Sequence, residues 1–471
     1  MNNKIKNIVI NSGYAIFSNL LSMLVSTLVI LVLPKVIGIE SYGYWQLYLF
    51  YVSYVGFFHL GWIDGIYLKY GGAHFEDLDP KKFYSQFVMY TLFQSIIALL
   101  IVTYGFLALI DSDKKFIFEQ LGITLVLTNV RFFVIYLLQT TNRIKQSSAI
   151  TILDRFIYVA LLIAFILLDI KNYRMMIYVD VIARFISLLY GLYICRSILV
   201  KKWSYFKIDY LEMRDNIRVG SNLMLSNVAS LLIIGTVRLG IEKQWDIVTF
   251  GKVSLTLSIS NLMMIFINAV GIVIFPMLKR LEHSKLPLLY QNLRNILMPL
   301  MLGMLVLYYP LKMLLANWLP HYMESIKYMV LIFPMAIYEG KMSLLINTYL
   351  KALRMEKYIL KVNIRTVFLS LGLTLFTTLI LKNLDLAIVS IVILLAFRCI
   401  AAEGAIARVL EIDIKKDIYL EVLLTIVFIL AGWFLPSMLA VISYIICYII
   451  YLIIKKSLLC DTVKNFKQSL S

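Results

Sequence analysis

The sequence predicts an all-α polytopic membrane protein of about fourteen transmembrane helices, built as two six-helix lobes related by a parallel pseudo-twofold, plus two extra C-terminal helices. Three observations predict it. Apolar runs long enough to cross a bilayer follow one another almost end to end, and 61% of residues are hydrophobic against 15% charged. Lys and Arg crowd into alternate connections between those runs. The chain also matches itself weakly, without a gap, at an offset of 208 positions.

A hydrocarbon core about 30 Å thick needs roughly 20 apolar residues of helix. Runs of that kind lie at 12–33, 43–66, 84–109, 117–139, 153–169, 175–195 and 217–239. They continue at 248–275, 290–315, 325–349, 361–381, 384–406, 417–435 and 437–454. The first run continues through Leu33 with no small-residue cleavage site behind it, so it reads as a retained span and not as a signal peptide.

About 28 basic residues fall on one set of connections, from Lys4 and Lys6 through Lys201, Lys202 and Arg294 to Lys455 and Lys467. The opposite connections hold far fewer. This asymmetry puts both termini in the cytoplasm, which requires an even number of spans. It also accounts for the net charge of +18 without nucleic acid, because basic loops lie against anionic lipid.

In the self-match Ser18 and Asn19 fall on Ser226 and Asn227, Ser22 on Ser230, Lys35 on Lys243 and Gly43 on Gly251. Six spans separate the copies, so both run the same way through the membrane. The domains expected are a six-helix lobe at 1–200, a basic linker at 201–216, a second lobe at 217–410, and the final helices with a tail at 411–471. Such lobes enclose a cavity open to one face at a time. Asn19 and Ser22 share a helix face. With Asn227, Ser230, Asn261 and Asn268 they form a polar stripe, either a cavity wall or small-residue helix packing.

Charges at bilayer depth are costly and mark a cavity or a partner. Arg131 and Arg398 lie deepest. Asp180 and Arg184, spaced i, i+4, can neutralise each other. Arg238 and Arg365 lie about a turn from helix ends, where long side chains snorkel. Lys252, Lys341 and Glu403 complete the cations and carboxylates considered. Carboxylates look too few to pair every arginine, so the excess points to an anion, and the guanidinium fork suits phosphate or carboxylate. Glu339, after the kink expected at Pro334, Asp64, between Gly61 and Gly65, and Asp180 are the carboxylates expected to gate transport or couple it to H⁺ or Na⁺.

Enzymatic signatures are sparse. There is no Walker-type phosphate loop. The four histidines sit near span ends without metal-ligand spacing, and the four cysteines suggest neither disulfides nor a metal cluster. No metal, no catalytic residue and no cofactor is expected.

The segment from Pro34 to Gly72 is the most specific. It carries a Pro-ended first span, a turn with Gly38, Ser41, Tyr42 and Gly43, and a run with Gly61, Trp62, Asp64, Gly65, Tyr70, Gly71 and Gly72. It resembles the opening of bacterial polysaccharide-biosynthesis flippases, the O-antigen and capsule repeat-unit translocases of the multidrug/oligosaccharidyl-lipid/polysaccharide exporter (MOP) superfamily. The resemblance implies an undecaprenyl-diphosphate-linked oligosaccharide carried from the cytoplasmic to the outer leaflet of the bacterial inner membrane by alternating access. It implies that buried arginines meet the diphosphate or acidic sugars. Membrane lipids, a polysaccharide polymerase and a chain-length regulator are the further partners implied. The alternatives are a multidrug or small-solute antiporter of the same superfamily and a membrane polysaccharide polymerase.

Overall fold

The structure, a computed structural model, describes residues 3–278 and 286–470; side chains at 3–12, 15–16, 265–266, 268–278, 356, 460–461 and 463–470 lie outside the description. Every regular element among the described residues is helical. The chain forms two compact units, Met1–Val228 and Ala229–Ser471.

The first unit contains α1 (Asn3–Val36), α2 (Ile39–Val55), α3 (Trp62–Lys69), α4 (Pro80–Ala108), α5 (Ser112–Thr140), α6 (Ile144–Leu167), α7 (Tyr173–Ile194) and the short α8 (Arg196–Leu199). The boundary falls inside α9 (Tyr210–Gln244). The second unit continues with α10 (Ile247–Leu278), α11 (Leu286–Gly303), α12 (Tyr308–Trp318), α13 (Met323–Ile332), α14 (Met335–Lys341) and α15 (Asn347–Ala352). It closes with α16 (Glu356–Thr374), α17 (Leu384–Val409), α18 (Lys415–Phe434) and α19 (Ser437–Leu470).

Among the described residues twelve helical stretches, one of them α11 continued by α12, are long and apolar enough to span a bilayer, and α13 to α15, bent by 44° at Phe333–Pro334, pass the same test as a pair. The bend lies where the proline removes an amide donor. The run expected as one helix at 290–315 is α11 and α12 joined by a 3₁₀ turn, Met304–Leu307. Side-chain acceptors open several helices. Asp79 caps Lys81 N–H at 2.9 Å ahead of Pro80, Asp111 caps Asp113, Asn172 caps Arg174, and Asn383 caps Leu386.

The second expected span, 43–66, is not one helix. α2 ends at Val55, a 3₁₀ turn covers Gly56–His59, and Leu60 and Gly61 take φ of 52° and 82° before α3 begins. A break at membrane depth leaves backbone carbonyls without helical partners. Two amides on neighbouring helices donate to carbonyls at this break: Gln94 of α4 to Phe58 O at 3.1 Å, and Asn129 of α5 to Val55 O at 2.9 Å. Asn129 also donates to Gln94 Oε1 at 2.7 Å, which locks both amides in place.

After the break, Gly61 and Gly65 form a Gly-x-x-x-Gly face on α3 that meets α9 backbone to backbone. A Cβ on Gly65 would sit 1.9 Å from Asn216 O, and one on Gly220 would sit 2.0 Å from Gly61 O. The contact is fastened by Glu212 of α9, which accepts from Lys69 Nζ and Lys82 Nζ at 2.9 Å each and from Tyr70 OH at 2.7 Å.

Candidate functional site

The first unit gathers charge in its interior around α5, α6 and α7. Arg131 projects from α5, Asp154 and Arg155 from α6, and Asp180 and Arg184 from α7. Arg184 Nε donates to Asp180 Oδ2 at 2.8 Å, as the i, i+4 spacing predicts, and Arg184 Nη1 donates to Thr128 Oγ1 at 2.9 Å. Tyr48 of α2 donates to the same Asp180 oxygen at 2.8 Å and meets Thr124 at 2.9 Å. Arg131 Nη1 lies 3.1 Å from Asp154 Oδ2, and Arg155 Nε lies 3.8 Å from that oxygen.

Arg131 therefore has a carboxylate beside it, against the expectation of an unpaired guanidinium. The pairing is poor in geometry. Neither Nε nor Nη1 of Arg131, nor Nε of Arg155, is aligned with a hydrogen-bond acceptor, although all three atoms are buried. Three guanidinium groups thus share two carboxylates, the third of them, Arg155, keeping 31% side-chain exposure. A buried cation with unfilled donors is favourable only where an anion can complete it.

The second unit pairs its charges differently. Arg398 of α17 uses its whole fork: Nε donates to Asn363 Oδ1 at 2.9 Å, Nη1 to Glu339 Oε1 at 3.1 Å, and Nη2 to Ser230 Oγ at 2.8 Å. It too has a partner where none was expected. Beyond it lies a larger buried network. Arg294 of α11 binds Glu403 at 2.8 Å, Asp417 at 2.9 Å and Glu421 at 2.6 Å. Lys341 of α14 binds Glu403 at 2.5 Å and Glu421 at 2.7 Å, and Lys455 of α19 pairs with Asp417. Tyr290 donates to Glu403 Oε1 at 3.0 Å. Three cations meet three carboxylates, so the network is neutral, and it ties α18 and α19 to α11, α14 and α17. Arg294 and Lys455, expected in cytoplasmic connections, are buried here.

The gating carboxylates part company. Glu339 is neutralised by Arg398 and keeps 27% side-chain exposure, whereas Asp64 keeps 6% and has no Lys or Arg partner among the described residues. Its neighbour is His59, with Nε2 3.7 Å from Asp64 Oδ2. Gly61 N–H donates to His59 Nδ1 at 2.9 Å, so a neutral His59 carries its proton on Nε2, facing the carboxylate. Tyr90 of α4, whose hydroxyl is buried without a partner, and Tyr136 of α5 lie within electrostatic reach of Asp64.

The remaining expected residues scatter. Arg238 donates to Ser254 Oγ at 2.9 Å and packs on the Phe250 ring, while Arg365 is exposed on α16. Lys252 pairs with Glu324. In the polar stripe, Ser22 donates to Ser18 O of its own helix at 2.8 Å, as the packing alternative expects. Asn19, Asn227 and Asn261 are exposed, Ser230 serves Arg398, and the side chain of Asn268 lies outside the described residues.

No protein-family profile matches the sequence, and no curated protein matches it. Solved structures do match in fold. A lipid II flippase, MurJ, in an inward closed conformation aligns with a TM-score of 0.64 at 14% identity, covering 96% of this chain and 99% of its own. An inward-facing multidrug resistance MATE transporter of the MOP superfamily aligns at 0.60 and 13% identity, covering 81% of this chain and 92% of its own. A MATE protein in the straight conformation aligns at 0.54 and 13% identity, covering 85% and 94%. The chain has the fold of MOP-superfamily transporters.

Proposed function

We propose that the protein is a flippase for an anionic lipid-linked oligosaccharide, an undecaprenyl-diphosphate-linked repeat unit for surface polysaccharide, and that the Arg131–Arg155–Arg184 cluster receives the anionic head. The unbalanced charge of that cluster carries the reading: three guanidinium groups on two carboxylates. An exporter of organic cations needs the opposite sign. Fold coverage supports the same choice. At 96% of 471 residues, the match to the lipid II flippase leaves fewer residues over than α18 and α19 contain together, 20 and 34.

In this reading the protein lies in the bacterial cytoplasmic membrane with both termini in the cytoplasm. It exposes its site to the two leaflets in turn and hands its product to a polymerase with its chain-length regulator. Asp64 is the coupling carboxylate, with a proton as the ion. His59 cannot gain a second proton without giving up the Gly61 N–H bond, so the carboxylate is the group that loads. Asp64→Asn should leave the protein folded and make transport indifferent to an imposed proton gradient; a gradient response equal to wild type removes Asp64 from the role.

Depletion tests the main reading. Lipid-linked repeat units trapped on the inner leaflet support a flippase. Units displayed outside but unpolymerised identify a polymerase. Normal polysaccharide with loss of drug or solute efflux identifies an antiporter.

A further inference from the structure

Between the start of α18 and the α19 segment around Ile454–Leu458 lies a recess of about 580 Å³. Its volume is that of sites for small organic ligands. The wall is apolar and faces outward. Tyr419, Ile454 and Leu458 line it, all large side chains left exposed. The rim is cationic: Lys415 and Lys416 are exposed, and neither ammonium has an ion pair or hydrogen bond among the described residues. The floor is the Lys455–Asp417 pair, so Lys455 is already neutralised and the free charge belongs to the two rim lysines.

Apolar walls on membrane helices beneath two unpaired cations match one chemistry, a phosphodiester headgroup carrying acyl chains. We infer that this recess holds an anionic phospholipid, its phosphate on Lys415 and Lys416 and its upper acyl carbons on Tyr419, Ile454 and Leu458. The charge complementarity selects it over a zwitterionic lipid, whose own cation would face the lysines. The floor gives the lipid a structural consequence. Asp417 also binds Arg294 at 2.9 Å, so a lipid seated there braces the final helix pair against the buried network. This assignment stands apart from the transported substrate.

The test uses the full-length protein purified in detergent and reconstituted in phosphatidylcholine nanodiscs doped with phosphatidylglycerol. Native mass spectrometry should find phosphatidylglycerol retained in preference to phosphatidylcholine, with thermal unfolding shifted upward by the anionic lipid. Lys415→Gln/Lys416→Gln should weaken retention by about thirtyfold and abolish the upward shift, while unfolding in pure phosphatidylcholine stays at the wild-type temperature. Tyr419→Ala should weaken retention by a smaller factor without changing the preference for anionic lipid. Unchanged retention in the double lysine variant overturns the assignment. So does retention of an added polyprenyl diphosphate with no preference between the two phospholipids, which would make the recess an entry point for substrate.

Discussion

The two units solve the same problem, charge buried at membrane depth, in opposite ways. In the second unit Arg294, Lys341 and Lys455 meet Glu403, Asp417 and Glu421 one for one, with contacts of 2.5–2.9 Å wherever Arg294 and Lys341 take part. In the first unit Arg131, Arg155 and Arg184 share Asp154 and Asp180, three cations on two carboxylates. A network with equal numbers of cations and carboxylates serves to hold helices in register. In the proposed function, the surplus cation of the first unit is where the anionic head binds. Burial alone does not separate structure from function here. Stoichiometry does.

The comparison breaks first at Glu403. Glu403→Gln leaves Arg294 and Lys341 with surplus charge in a site without solvent, and removing one partner of such a pair costs about 3–5 kcal/mol. Folded yield and detergent thermal stability should fall sharply, with transport lost along with the protein. Normal folded yield would show that the second network is not structural.

Next in size is Arg131→Ala, which should lower export at least tenfold (about 1.4 kcal/mol) while folded protein remains. Arg131→Lys should recover part of it, since an ammonium keeps the charge and loses the bidentate fork. The double variant Arg131→Ala/Asp154→Asn sharpens the contrast: it should restore any lost folded protein but not export. Export restored to wild type by the double variant would make Arg131 a structural residue like Arg294. The smallest effect is expected at Arg365, exposed on α16. Arg365→Gln should change stability by no more than about 0.5 kcal/mol and leave export unaltered. A large export defect there would place the anion site elsewhere.

Much of this was readable from the sequence. The helical class, the Pro334 bend and the Asp180–Arg184 pair follow from apolar run length, a missing amide donor and i, i+4 spacing. The charges missed fall at the edges of apolar runs. Asp154, Arg155 and Arg294 lie within a few residues of the starts of the runs at 153–169 and 290–315, where a charge reads as part of the adjoining loop, but α6 begins at Ile144 and α11 at Leu286, which puts all three well inside a helix. Lys455 follows the run that ends at 454, and α19 continues past it to Leu470. The broken span was hidden for a different reason. Hydropathy is blind to backbone φ, and the glycines at 61, 65 and 220 mean something only once two helices touch.

That broken span also orders events during synthesis. When residues 39–69 are made, the side-chain amides that donate to Val55 O and Phe58 O are not. Their partners, Asn129 and Gln94, lie 74 and 36 residues further along the chain. Until then the break lacks the side-chain bonds that brace it in the folded protein. A chain halted before residue 129 is expected to lack the Asn129 brace, so the second span should reach its final packing only after α4 and α5 have been made.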